Sequence, residues 1–184
     1  MRAVVYFQGC NLGCDGCWNP ATHAFAGPSR GVKDVAEQVA VAHQTQFIEG
    51  VTFSGGEPMQ QPLDLLEVIR LLKRTRPEIS IGMYSGYTER ELDSGSFCIS
   101  DGIAQETRHR VWAAIKLQLD FAVLGRFVAA RPSKLPLRTS ANQVLRLFSD
   151  RYREEHFTPL EFEVHIEAQG LTQITGFPLA GLPL

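Results

Sequence analysis

No apolar run in the sequence approaches the roughly 20 residues that a membrane-crossing helix requires, so no membrane partner is expected. Excess charge of one sign is also missing. Lys and Arg total 18 against 20 Asp and Glu, for a net charge of −2. No basic field points to a nucleic acid or an anionic surface. Cysteine is scarce, with four in 184 residues, three of them between positions 10 and 17. A disulfide-stapled secreted domain spreads its cysteines along the chain, and three neighbouring thiols cannot pair off evenly. The opening residues MRAVVYFQGC have one Arg and a brief apolar stretch ended by Gln8, which is not a signal-peptide layout. The expected compartment is the cytoplasm. Internal repeats, low-complexity tracts and interdomain linkers are absent too. The expectation is one domain over residues 1–184.

What is present alternates between strand and helix patterns. Ala3 to Gln8 is apolar and β-rich, and a loop rich in Gly, Pro, Asn and Asp follows over Asn11 to Arg30. Lys33 to Gln46 carries a helical stripe of Val35, Val39 and Ala42. Gly50 to Phe53 reads as a strand. Pro62 opens a helix whose apolar face is Leu65, Leu66, Ile69 and Leu72, and Pro77 stops it. Ile79 to Tyr84 is a strand, Glu89 to Gly102 a polar excursion, Ile103 to Leu119 a helix and Asp120 to Leu124 a strand. Arg126 to Ser140 reads as a loop. A hairpin is expected from Glu161 to Glu167 and Leu171 to Thr175, turning at Gln169-Gly170. Alternating strands and helices imply an α/β fold with a mostly parallel sheet and ligands at the strands' C-terminal ends. The distinctive motifs fall at three such ends.

The first motif is Cys10-Asn-Leu-Gly-Cys14-Asp-Gly-Cys17. Three thiolates on one loop reach three corners of a 4Fe–4S cubane and leave one iron open, available to the amino and carboxylate groups of S-adenosylmethionine (SAM). The alternative is a structural zinc site, which needs a fourth ligand such as Cys98 or His23. Cys98 itself lies far along the chain, and a small-hydrophobe role is expected for it. The second motif, Ser54-Gly-Gly-Glu-Pro58, ends a strand. Its glycines let the backbone approach a ligand, and strand-end carbonyls with Glu57 can accept hydrogen bonds from an ammonium group. Read alone, it is more often a plain turn. Asp120 is either a strand-end group facing a substrate opening or a loop-capping carboxylate.

C-x3-C-x2-C followed by Gly-Gly-Glu-Pro resembles the radical SAM superfamily. The chain is most similar to the activating proteins of anaerobic ribonucleoside-triphosphate reductase and to the pyruvate formate-lyase activating enzymes. Asn19 shortly after the third cysteine, Tyr84-Ser-Gly-Tyr-Thr88, Asp120-Phe-Ala-Val-Leu-Gly-Arg-Phe127 and Leu135-Pro-Leu-Arg-Thr-Ser-Ala-Asn-Gln143 match segments of that group, with Thr139 where its members usually have Gly. The resemblance implies an incomplete (βα)6 partial TIM barrel, open on one side. It implies that Cys10, Cys14 and Cys17 ligate the cluster, that Gly55, Gly56 and Glu57 hold the SAM amino group, and that Ser85 lies near the SAM ribose or carboxylate. The implied activity is reductive cleavage of SAM to a 5′-deoxyadenosyl radical that abstracts hydrogen from a glycine of a glycyl-radical enzyme. A flavodoxin or ferredoxin-type protein would supply the electron. Two rivals are a radical SAM enzyme acting on a small molecule or peptide, and a non-catalytic iron–sulfur or zinc-binding module.

Overall fold

A computed structural model describes residues 1–27, 29–98 and 102–157, together with strands at 162–166 and 172–176. The elements in chain order are β1 (Arg2–Phe7), α1 (Val32–Thr45), β2 (Gly50–Gly55), α2 (Pro62–Thr75), β3 (Ser80–Ser85), α3 (Glu89–Asp93), α4 (Gln105–Lys116), β4 (Phe121–Leu124), β5 (Val144–Leu147), β6 (Phe162–Ile166) and β7 (Thr172–Gly176). Strands β1 to β5 form one sheet in that spatial order. The first four pair in parallel and β5 returns antiparallel to β4. β6 and β7 form the expected antiparallel hairpin; its turn lies outside the described residues.

Consecutive parallel strands that sit side by side need crossovers of one hand, which puts their helices on one face of the sheet. α1 packs on α2 and α2 on α4, and the inward side chains Val51, Phe53, Ile81, Met83, Ala122 and Leu124 join them in the main core. The helices follow from their sequences. α2 starts with Pro62 at its first turn, carries Asp64 there and Lys73 and Arg74 in its last turn, and so suits its own dipole. It buries Leu65, Leu66, Val68, Ile69 and Leu72, each contributing about 1.5–3 kcal/mol of apolar burial.

The α/β, mostly parallel sheet is as expected, with two departures in detail. The polar excursion contains α3, started by a reciprocal Thr88–Glu91 capping box. The fifth strand of the sheet is β5, reached from β4 without a helix. The intervening segment carries Pro132 and Pro136 and lacks helical periodicity, so the chain turns straight back. Among the described residues the sheet therefore holds four parallel strands and one antiparallel strand. No helix among them is long and apolar enough to cross a membrane.

The face opposite the helices is filled at its lower end, where the parallel strands begin. From Phe121 there, a second cluster runs up this face through Val123 and Leu145, with Tyr84, Tyr152 and Phe157 packed against it. Arg2 inserts beside them. Its guanidinium donates to Thr52 Oγ1 at 3.0 Å, Ser80 Oγ at 2.9 Å, Tyr152 OH at 2.9 Å and Val51 O at 2.8 Å, pairs with Glu49 at 3.0 Å, and lies 5.0 Å from the Phe121 ring centroid. Asp120 is at this same end. Its carboxylate accepts from Ile81 N–H at 2.8 Å and Ser149 Oγ at 2.6 Å. Because a parallel strand runs away from its first residue, Asp120 faces the base of the sheet and caps a loop. It does not face the end where the cysteine loop emerges.

Candidate functional site

The upper end of the sheet gathers four strand exits: the cysteine loop after β1, the Gly-Gly-Glu-Pro turn after β2, Ser85-Gly86 after β3 and Arg126-Phe127 after β4. The cysteine loop is folded by its own backbone. Gly9 N–H donates to Thr22 O at 2.8 Å and Cys10 N–H to His23 O at 3.0 Å, so the two arms of the loop are laced together. His23 thus serves the loop through its carbonyl. Cys17 N–H donates to Cys14 O at 3.2 Å, which sets those two thiols on one turn.

All three thiols are free and half-buried. Burial pushes the Cys10 thiol up. The Leu12 backbone opposes this with a hydrogen bond, while negative charge at Glu57, Cys14 and Cys17 adds to it. The three thiols and Glu57 therefore share one local field. Among the described residues no three His, Cys, Asp or Glu side chains converge on a point that would hold one metal ion. Three thiols on one loop suit a larger group bound at three corners, and the donor chemistry fits a 4Fe–4S cluster.

The second motif is stitched directly to this loop. Gly56 N–H donates to Phe7 O at 2.7 Å and Glu57 N–H to Gly9 O at 2.9 Å. The approach is so close that a Cβ on Gly56 would sit 2.4 Å from Gly9 O, and one on Gly55 2.7 Å from Phe7 N. Gly55 also has a φ of +96°, a region that L residues rarely adopt. The sequence suggests glycines that admit a ligand. In the structure their first demand is backbone against backbone, between the two loops of the site.

Glu57 is 1% exposed. Its Oε1 accepts from Met59 N–H at 2.9 Å and from Ser85 Oγ at 2.9 Å, and its Oε2 accepts from Gly86 N–H at 2.7 Å. Ser85 Oγ in turn accepts from Tyr87 N–H at 3.1 Å. One carboxylate therefore ties the exit of β2 to the exit of β3. Burial raises its pKa to about 7 against the pull of these three hydrogen bonds and of Arg126. Arg126 is held by Glu91 at 2.9 Å and reaches Gly86 O at 3.1 Å. Trp18, 43% exposed, stands with its ring centroid 5.8 Å from that of Phe127, so the segment after the third cysteine packs on the segment after β4.

Two features escape a reading of the sequence. Cys98 is exposed, not a buried small hydrophobe. It lies beside the cysteine loop, where Asn11 Nδ2 reaches its Sγ at 3.8 Å. Gln60, which ends the short 3-10 turn after Glu57, and Gln61, which caps it, send both carboxamides back to the same loop. Nothing local in Pro58-Met-Gln-Gln-Pro62 marks them.

Comparison with known proteins agrees with the chemistry of the donor set. Residues 1–146 match the family described as a 4Fe-4S single cluster domain. An anaerobic ribonucleoside-triphosphate reductase-activating protein of Haemophilus influenzae is 31% identical over 157 residues, which cover 80% of this chain and 88% of that protein. The protein of the same description from Vibrio cholerae is 27% identical over 154 residues, with the same two coverages of 80% and 88%. A pyruvate formate-lyase-activating enzyme of Clostridium pasteurianum is 38% identical over 76 residues, 40% of this chain and 32% of that protein. The chain therefore belongs to the 4Fe-4S single cluster domain family and to the family of the anaerobic ribonucleoside-triphosphate reductase-activating proteins.

Proposed function

We propose that the protein is a radical SAM activating enzyme whose substrate is a glycine of a glycyl-radical enzyme, an anaerobic ribonucleotide reductase in the first instance. Cys10, Cys14 and Cys17 would hold the 4Fe–4S cluster. When bound, the cluster supplies one electron for the reductive cleavage of SAM, and the hydrogen abstraction that follows leaves a glycyl radical on the partner. The residues of the chain bind, orient and exclude water. Gly55 and Gly56 present the backbone edge to the SAM amino group. Glu57 completes that amino-group site and ties it to β3 through Ser85, which would lie near the SAM ribose or carboxylate.

The observation that carries the reading is the stitching of the cysteine loop to the Gly-Gly-Glu-Pro turn, by Gly56 N–H to Phe7 O and Glu57 N–H to Gly9 O, at 2.7 and 2.9 Å. It brings three thiols and a glycine edge to one end of the sheet, as a cofactor chelated at an open iron needs. Among the described residues the sheet is not closed, and Val4 and Tyr6 on its edge strand are 49% and 58% exposed. A reactive radical in such a mouth needs cover from outside, which favours a large protein substrate over a free small molecule. The loops after β3 and β4 are its docking edges. The chain acts as a single domain over residues 1–184, in the cytoplasm, with a flavodoxin or ferredoxin-type donor and no nucleic acid or membrane partner.

The test is anaerobic reconstitution with iron and sulfide, then dithionite and SAM. About four irons per chain are expected, with methionine and 5′-deoxyadenosine as products. Cys14→Ala should lose the cluster absorbance and Cys98→Ala should keep it. A glycyl doublet in electron paramagnetic resonance should appear on a candidate partner only with SAM, reductant and this protein together. An intact cluster in Cys14→Ala, or efficient turnover of a free small molecule with no doublet on any candidate, would overturn the reading.

A further inference from the structure

Gln60 is 1% exposed, and its carboxamide is fully used. Oε1 accepts from the backbone N–H of Asn11 at 3.2 Å, and Nε2 donates to Asn11 Oδ1 and to Tyr87 OH, the latter at 3.0 Å. A carboxamide has two donor hydrogens and an acceptor oxygen. Here both hydrogens and the oxygen have partners, and two of the three contacts fall on one residue, Asn11. Tyr87, 2% exposed, fixes which way the amide faces. Its hydroxyl accepts from Cys98 N–H at 3.1 Å and donates to Cys98 O at 3.3 Å, so it has a lone pair left for Gln60 Nε2 and no second hydrogen for Oε1.

The neighbouring Gln61 reaches the same loop on the other side of the first cysteine. Its Nε2 donates to Gln8 O at 2.6 Å. Gln60 thus holds the residue after Cys10, and Gln61 holds the strand exit two residues before it. The two anchors are the last residue of the 3-10 turn that continues the Gly-Gly-Glu-Pro motif and the residue that caps it, and Glu57 N–H already holds Gly9 O.

We propose that Gln60 is a positioning residue for the Cys10 thiolate: its carboxamide, oriented by Tyr87, clamps Asn11 and so fixes the direction in which the first cysteine meets the cluster. This rests on the reading of Cys10, Cys14 and Cys17 as cluster ligands. Groups that orient metal ligands from behind change metal affinity by about 10–100-fold when removed, and that sets the expected size of the effect.

Three variants test it. Gln60→Leu removes the whole clamp from a buried site. Asn11 is exposed, so Asn11→Leu removes the side-chain half of the clamp with little risk to the fold. Asn11→Asp keeps an acceptor for Nε2 and the backbone N–H for Oε1. The reconstituted proteins are exposed to an iron chelator, and bleaching of the cluster absorbance is timed. Gln60→Leu and Asn11→Leu should bleach roughly tenfold faster than the parent, while Asn11→Asp should bleach at the parental rate. The two Leu variants should also shift the midpoint potential and the paramagnetic signature of the reduced cluster, which a general loss of stability would not do. Parental bleaching and parental spectra in Asn11→Leu overturn the inference, whatever happens to the fold of Gln60→Leu. Equal bleaching of Asn11→Asp and Asn11→Leu overturns it as well. If the parent itself takes up no cluster, the radical SAM reading fails before the clamp is addressed.

Discussion

Gly56→Ala and Gly56→Val distinguish two accounts of the Gly-Gly-Glu-Pro turn. If the glycine exists to admit a ligand, a side chain there would obstruct SAM and leave the cluster alone. The structure places the first obstruction elsewhere, because a Cβ would lie 2.4 Å from Gly9 O and 2.9 Å from Gly9 C. Those are backbone atoms one residue before Cys10, and they cannot rotate away. Overpacking of this kind costs about 1–3 kcal/mol. Relieving it by separating the loops would also break Gly56 N–H to Phe7 O and Glu57 N–H to Gly9 O, at about 1 kcal/mol each. The total is on the order of 3–5 kcal/mol. Because the clash begins at Cβ, Ala should do most of the damage that Val does. Urea unfolding of the apoprotein reads the stability. Iron per chain after anaerobic reconstitution reads the loop, and calorimetry reads SAM affinity. All three should fall together in Gly56→Ala. Full iron loading and parental stability in that variant, with only SAM binding lost, would refute the reasoning.

Glu57, with a pKa raised to about 7 by burial, should make stability depend on pH. A carboxyl whose folded pKa lies above its unfolded value binds its proton more tightly when folded. Its contribution is therefore present below the unfolded value of 4.5 and is lost as pH rises through about 7. Over pH 5 to 8 that amounts to on the order of 2 kcal/mol. The stability of Glu57→Gln should be lower at pH 5 and should lack this slope; a difference between parent and variant that is flat with pH would count against it. At the other end of the sheet, Arg2→Leu removes five side-chain hydrogen bonds and the Glu49 pair. The expected loss is about 2–4 kcal/mol, or roughly 5–10 °C in Tm. The protein that remains folded should still load iron like the parent, and a selective loss of iron would contradict the separation of the two ends.

The chain makes some of this legible and hides the rest for identifiable reasons. α2 can be read residue by residue, since Pro62, the leucine stripe and Pro77 are all local signals. The cysteine spacing likewise announces three ligands on one loop. β5 is hidden because four residues, with Val144 exposed and Leu145 buried, are too short a pattern to rise above loop. α3 is only five residues long, although its Thr88–Glu91 capping box could have been found. The neighbour of Gly56 could not. That glycine is required by Gly9, and only the parallel register Phe7↔Gly55 between β1 and β2 reveals it. Cys98 is a similar case. It reaches Asn11 across a separation of 87 residues, because the Tyr87 hydroxyl holds its backbone there. A glutamine in a turn has no periodicity to betray it, and so Gln60 passes as solvated.

The same comparison explains why the two loops of the site cannot be treated as independent modules. Each loop alone is a Gly-bearing strand exit, anchored to the main core through Leu12 in one and Met59 in the other. Together they share Gly56 N–H, Glu57 N–H, Gln60 and Gln61 as donors or clamps to Phe7, Gly9, Asn11 and Gln8. Those contacts come from one turn of six residues, Gly56 to Gln61, and each reaches a residue within three of Cys10. Displacing the turn therefore displaces the first thiolate, and displacing the loop moves the glycine edge. Glu57 extends the coupling to β3 through Ser85 and Gly86. A cofactor that needs an open iron and a backbone edge at a fixed separation is served by this rigidity, because neither partner can drift without the other. The base of the sheet, where Arg2, Glu49 and Tyr152 are bonded to one another, carries no such coupling to the thiols. Stability should therefore be tunable there without loss of iron loading, as the Arg2→Leu comparison tests.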